Sequence, residues 1–144
     1  MATVSFMMAN PKKLLAATVT ESVEHLDTVY AEHAMLLCVT RLEDALAALD
    51  DGVDGVICNV HFDEGAMFDL LRTVRSHKTA RDIPFIVIDA SSTTISSAIT
   101  QSVKIASMAL GANDVIQISK WIAEMGVNAA VLKTRTIVLD YLGC

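Results

Sequence analysis

Short apolar runs alternate with amphipathic stretches along most of this chain. The clearest run follows Asp54-Gly55: Val56, Ile57, Cys58 and Val60 read as a strand buried on both faces. It closes in a polar, Gly-containing loop from His61 to Gly65, and the periodicity then predicts a helix from about Ala66 to Ser76. Upstream, Val4 to Met8 predicts a first strand. Asn10-Pro11 has the form of a helix start, with Asn as cap and Pro at the first helical position. Leu15, Val19, Val23, Leu26 and Tyr30 recur at steps of three and four and carry that helix to about Ala31. Ala34 to Val39 predicts a second strand. Thr40-Arg41-Leu42-Glu43 is a capping-box pattern, and Asp50-Asp51-Gly52 ends the helix it opens.

Downstream of Pro84, Phe85 to Ile88 predicts a fourth buried strand ending at Asp89. A polar loop at Ser91 to Thr94 leads to a helix with Ile95, Ile99, Val103, Ala106 and Leu110 at helical spacing, closed by Gly111. Asp114 to Ile118 predicts a fifth strand. Ser119 to Met125 reads as a loop or a short turn of helix. Gly126 to Leu142 predicts a final helix that is apolar on more than one side, which makes it a candidate partner surface. Five strand–helix units imply an α/β fold, a parallel sheet with helices on both faces, in one domain spanning 1–144.

Composition changes this picture only by exclusion. Hydrophobic residues make up 53% of the 144 positions, yet no apolar run approaches the roughly 18 needed to span a bilayer, so no membrane partner is expected. The first residues have no basic stretch of the signal-peptide kind. The formal net charge is −6 with no basic run, which argues against nucleic acid as a partner. Cys38, Cys58 and Cys144 form no CxxC and no even framework, as expected of a cytoplasmic protein with reduced thiols.

Three segments carry a resemblance: Asp54 to Val60 with the following Phe68-Asp69-Leu70-Leu71-Arg72, then Asp82-Ile83-Pro84-Phe85-Ile86-Val87, then Leu110-Gly111-Ala112-Asn113-Asp114. In this order and spacing the chain resembles the receiver domain of bacterial two-component response regulators, over nearly its whole length. The resemblance implies a flavodoxin-like (CheY-like) fold with five parallel strands in the order 2-1-3-4-5. It also implies a site at the carboxyl ends of the strands. There a receiver carries a phosphoacceptor Asp after strand three and an acidic pair after strand one. These hold Mg²⁺ through hard oxygen ligands. A Thr or Ser ends strand four and a Lys ends strand five.

At each of those positions this chain departs from the family. The phosphoacceptor position is Asn59, a neutral amide and a poor nucleophile. The acidic pair falls at Met8-Ala9, the Thr/Ser position at Asp89, and the Lys position at Ile118, with Lys120 available two residues on. Asp89 and Lys120 are placed to pair across the pocket. His61, on the loop after Asn59, completes the degenerate pocket. Asp63 and Glu64 precede a helix, where carboxylates favour the N-terminus.

The resemblance therefore implies a pseudo-receiver: no catalysis, no metal and no cofactor, and a regulatory role through protein–protein contact. Its expected surface is helix four, strand five and helix five, built from Ser96 to Leu110 and Gly126 to Leu142, binding a protein partner or a second copy. Two other readings stay open. One is a flavodoxin-like domain that binds a small molecule; Asn59-Val60-His61 with Gly65 has a faint likeness to the cobalamin-binding pattern. The other is a divergent receiver phosphorylated at another acidic residue, with Asp63 the nearest.

Overall fold

The computed structural model describes residues 11–90 and 97–144. Five parallel strands form one sheet: β1 (Lys13–Ala17), β2 (Met35–Val39), β3 (Gly55–Asn59), β4 (Phe85–Asp89) and β5 (Asp114–Gln117). Their order across the sheet is β2-β1-β3-β4-β5, as the resemblance implied. The helices are α1 (Val23–Tyr30), α2 (Leu42–Asp51), α3 (Met67–Ser76), α4 (Ser97–Ala109), α5 (Ile118–Met125) and α6 (Val127–Leu142). Strands two to four and helices two to four lie where the pattern predicts them, and Gly52 leaves α2 at φ 94°, a conformation that glycine adopts without a Cβ penalty.

The first unit differs. The predicted strand at Val4 to Met8 and the Asn10 cap lie outside the described residues, and the predicted helix is in part a strand. Lys13–Ala17 pairs with β2 on one side and with β3 on the other, and the helix begins only at Val23 after a 3₁₀ turn at Thr20–Ser22. Leu14 to Ala17 is fully buried between neighbours, which a continuous apolar run allows as readily as alternation does. The start of β1 is tied down by Asp54, whose Oδ2 accepts the Lys13 N–H at 2.7 Å while its own N–H donates to the Lys13 carbonyl.

Alternation sorts the core into two layers. Leu15, Val56, Phe85, Val87 and Val115 face α2 and α3, with Leu49, Leu70, Leu71 and Val74 packed on them. Leu14, Ile57, Ile86 and Ile116 face the other way, onto Tyr30 of α1 and Val138 and Leu142 of α6. Each such side chain removed from water contributes roughly 1.5–3 kcal/mol. Ser119 to Met125, expected as a loop or a short turn of helix, is helical throughout as part of α5. Its Ile118 and Trp121 pack on the second layer, and Ile118 opens this helix rather than ending β5.

Candidate functional site

Parallel strands end together, so the carboxyl edge of the sheet gathers Thr18, Asn59, Asp89 and Ile118 from four strands. The register Ala17↔Cys58 sets Thr18 beside Asn59, and Asp89 lies beside Gln117. With β1 at Lys13–Ala17, the position that follows strand one is Thr18-Val19. Met8-Ala9, the expected pair, lie outside the described residues. Helical spacing along Leu15, Val19 and Val23 hides Thr18 as a strand end; the sequence signal for it is the continuous run Leu14-Leu15-Ala16-Ala17 behind two lysines.

Asn59 is half-buried, and its Oδ1 accepts the backbone N–H of His61 at 2.8 Å. The amide oxygen thus closes the turn that follows β3, an Asx-type turn. His61 is exposed, and the chain then bends sharply. Phe62 is fully buried, while Asp63 and Glu64 take φ of 41° and 57°, in the left-handed region that costs a residue with a Cβ. Asp63 is held there by work at a distance. Its Oδ2 accepts the Leu42 N–H at 2.7 Å and its Oδ1 lies 3.6 Å from the Arg41 guanidinium. The start of α2 is therefore capped from another loop. The Thr40 capping box does not form: the residue before the helix is Arg41, with no side-chain cap bond.

Asp89 is buried, 5% exposed. It follows Phe85 and Val87 in alternation and so stands on the α2–α3 side of the sheet, while Ile88 and Ala90 face a cavity on the opposite side. Lys120 is exposed in the first turn of α5. The ion pairs among the described residues are Arg41–Asp63, Arg72–Asp69 and His77–Asp50, so the expected Asp89–Lys120 pair is not among them.

The cavity has a volume of about 220 Å³. Thr18 and Asn59 stand at the strand ends, Leu26 and Val29 come from α1, and Ile118 and Ile122 come from α5. Val131 and Thr134 of α6 complete it, and the Thr134 hydroxyl is spent on the Ala130 carbonyl at 2.9 Å. Two ionisable groups border this space from the core. Burial pushes the Tyr30 phenol well above its ordinary 10.0, against the pull of Arg135, and burial pushes the Cys58 thiol well above its ordinary 9.0. Both stay neutral in the fold after they have ionised in the unfolded chain. The unfolded state then binds fewer protons, so stability falls as pH rises. We expect the unfolding free energy to decline from pH 9 and more steeply from pH 10, by up to about 1.4 kcal/mol per pH unit per group. Urea titrations at pH 8, 9, 10 and 11 check this, and Cys58→Ala is expected to flatten the interval between 9 and 10.

No family model and no curated protein matches the sequence. Solved structures do match. The phosphorylated cyanobacterial phytochrome response regulator RcpA superposes with a TM-score of 0.71 at 17% identity, over 92% of this chain and 94% of its own. A response regulator from Hahella chejuensis gives 0.69 at 16%, over 91% and 94%. The receiver domain of a sensor histidine kinase from Pseudomonas aeruginosa, with a magnesium ion coordinated in its active-site cleft, gives 0.68 at 11%, over 93% and 99%. The fold of this chain is theirs.

Proposed function

We propose that this chain is a receiver-like regulatory module of the bacterial two-component type that works by protein contact and not by phosphoryl transfer. The observation that carries the reading is Asn59 at the end of β3, its amide oxygen committed to the His61 N–H. A carboxylate at that position could attack a phosphoryl donor and share a metal; an amide does neither well. The neighbouring strand end supports the same reading, since Thr18-Val19 contribute no charge. The related folds that hold a phosphoryl group or magnesium belong to other proteins. On this reading the chain is not an enzyme and has lost that input.

The output surface in this reading is the face formed by α4, β5 and α6. Ile105 and Met108 of α4 are 60% and 45% exposed, and Leu132 of α6 is 49% exposed. Apolar side chains at that exposure suit contact with a partner or a second copy. The test of the reading is a pair of amide NMR spectra with and without Mg²⁺ plus beryllofluoride, the mimic of a phosphorylated Asp. We expect no saturable shifts near Asn59, Asp89 or Ile118, and none from Asn59→Asp either, because the strand-one carboxylates are missing. Saturable shifts at those residues in the unaltered chain would overturn the reading and return it to the phosphorylated class.

A further inference from the structure

The cavity at the carboxyl edge of the sheet is built unlike a phosphate or metal site. Its walls are Leu26 and Val29 on one side and Ile118, Ile122 and Val131 on the other. No Lys, Arg, Asp or Glu is among the described residues that line it. The ionisable groups that do are His25, on the exposed side of α1, and Tyr30 and Cys58, both kept neutral by burial. An ionised ligand would give up hydration here and, apart from His25 on the exposed side, meet no group able to carry the opposite charge. An apolar body leaves water favourably and incurs no such desolvation cost.

Polar groups gather at the strand-end side. Thr18, 3% exposed, brings a hydroxyl, and Ser22 brings another. Asn59 spends Oδ1 on the turn, which fixes the amide orientation and leaves its Nδ2 donors at the cavity. The volume, about 220 Å³, exceeds the roughly 150 Å³ at which an apolar cavity holds benzene.

We propose that this cavity binds a small neutral amphiphile: an alkyl or aryl body of about eight to ten heavy atoms with one uncharged hydrogen-bonding head, held by Thr18 and Asn59. The inference goes beyond the signalling reading and does not depend on it. It gives the fold an input at the same strand ends. The walls include α5 and α6, and α6 is part of the proposed output face, so occupancy bears directly on that face. Trp121, the chain's one tryptophan, sits on α5 between Ile118 and Ile122, with Lys133 Nζ 4.1 Å from its ring centroid. Its emission is a built-in reporter.

The test is a titration of the full chain with 1-octanol, followed by Trp121 emission and by methyl NMR of Ile57, Ile118, Ile122 and Val131. We expect saturation at one site with a dissociation constant of roughly tens to hundreds of micromolar, suited to a ligand of this size. Octanoate at neutral pH is expected to bind at least about tenfold more weakly. Val131→Phe fills the space and should abolish the octanol shifts. Thr18→Val keeps the shape and should weaken octanol about fivefold while leaving toluene unchanged; it reads the site even if Val131→Phe fails to fold. Absence of saturation, or shifts concentrated on exposed Met35, Leu37 and Ile105, would overturn the site. Octanoate binding as tightly as octanol would overturn the neutral class, and unchanged octanol affinity in Thr18→Val would overturn the assignment of the head group.

Discussion

Phe62→Ala is expected to remove about 3–5 kcal/mol of stability and to lower Tm by roughly 10–15 °C. Phe62 lies in the loop after β3, in a polar stretch, yet it is fully buried with Leu49, Leu70 and Leu71 beneath α2 and α3. Removing its ring leaves a hole in a layer formed by the sheet and two helices, which cannot close without moving one of them. The same ring anchors the bend in which Asp63 holds φ 41° and caps Leu42. Its loss should therefore loosen the start of α2 as well as the core. Urea unfolding followed by circular dichroism and by Trp121 emission measures the loss. Phe62→Leu keeps most of the apolar volume and should cost only about 1–1.5 kcal/mol. A loss below 1 kcal/mol for Phe62→Ala would mean that the loop is not coupled to the core.

Arg75 is expected to follow, at about 2–3 kcal/mol, and Arg75→Lys should lose most of what Arg75→Ala loses. The guanidinium of Arg75 joins three segments. Its Nε donates to the Gly111 carbonyl at 2.8 Å, and its two terminal nitrogens reach the Arg81 and Ile83 carbonyls at 3.0 and 2.8 Å and Asn113 Oδ1 at 2.8 Å. Asn113 Oδ1 also accepts the Phe85 N–H at 2.8 Å, so the fork fixes where β4 begins and where β5 is entered. An ammonium carries the same charge but cannot present donors in that planar arrangement, and the carbonyls it abandons are left poorly paired. Gly111 fits the same design. It holds φ 104°, and a Cβ there would meet Arg75 Nε at 3.1 Å. Full stability in Arg75→Lys, measured by urea unfolding, would show that charge alone matters at this position.

By itself the sequence determined the elements whose signals are local. The apolar runs at Ala34 to Val39, Val56 to Val60 and Phe85 to Ile88 became β2, β3 and β4 within a residue or two. Gly52 and Gly111 ended α2 and α4 within one or two residues of the expected points. The strand order also agreed with what the receiver-like spacing implied. Periodicity and punctuation report neighbours a few residues apart, and these features depend on nothing more.

The first strand shows where that stops. Leu15, Val19, Val23, Leu26 and Tyr30 happen to fall at helical steps, and Leu and Ala favour a helix locally. Only pairing with β2 and β3 on both sides makes Lys13–Ala17 a strand, and those partners are some twenty and forty residues away. Tertiary structure alone decided the rest of the site as well. It put Thr18 beside Asn59 and turned Asp63 into the cap of a helix that precedes it in the chain. It buried Phe62 inside a polar loop and left a cavity between α1, α5 and α6. Each of these depends on which distant backbone groups and volumes meet, and that is set by packing of the whole sheet and its helices, not by spacing along the chain.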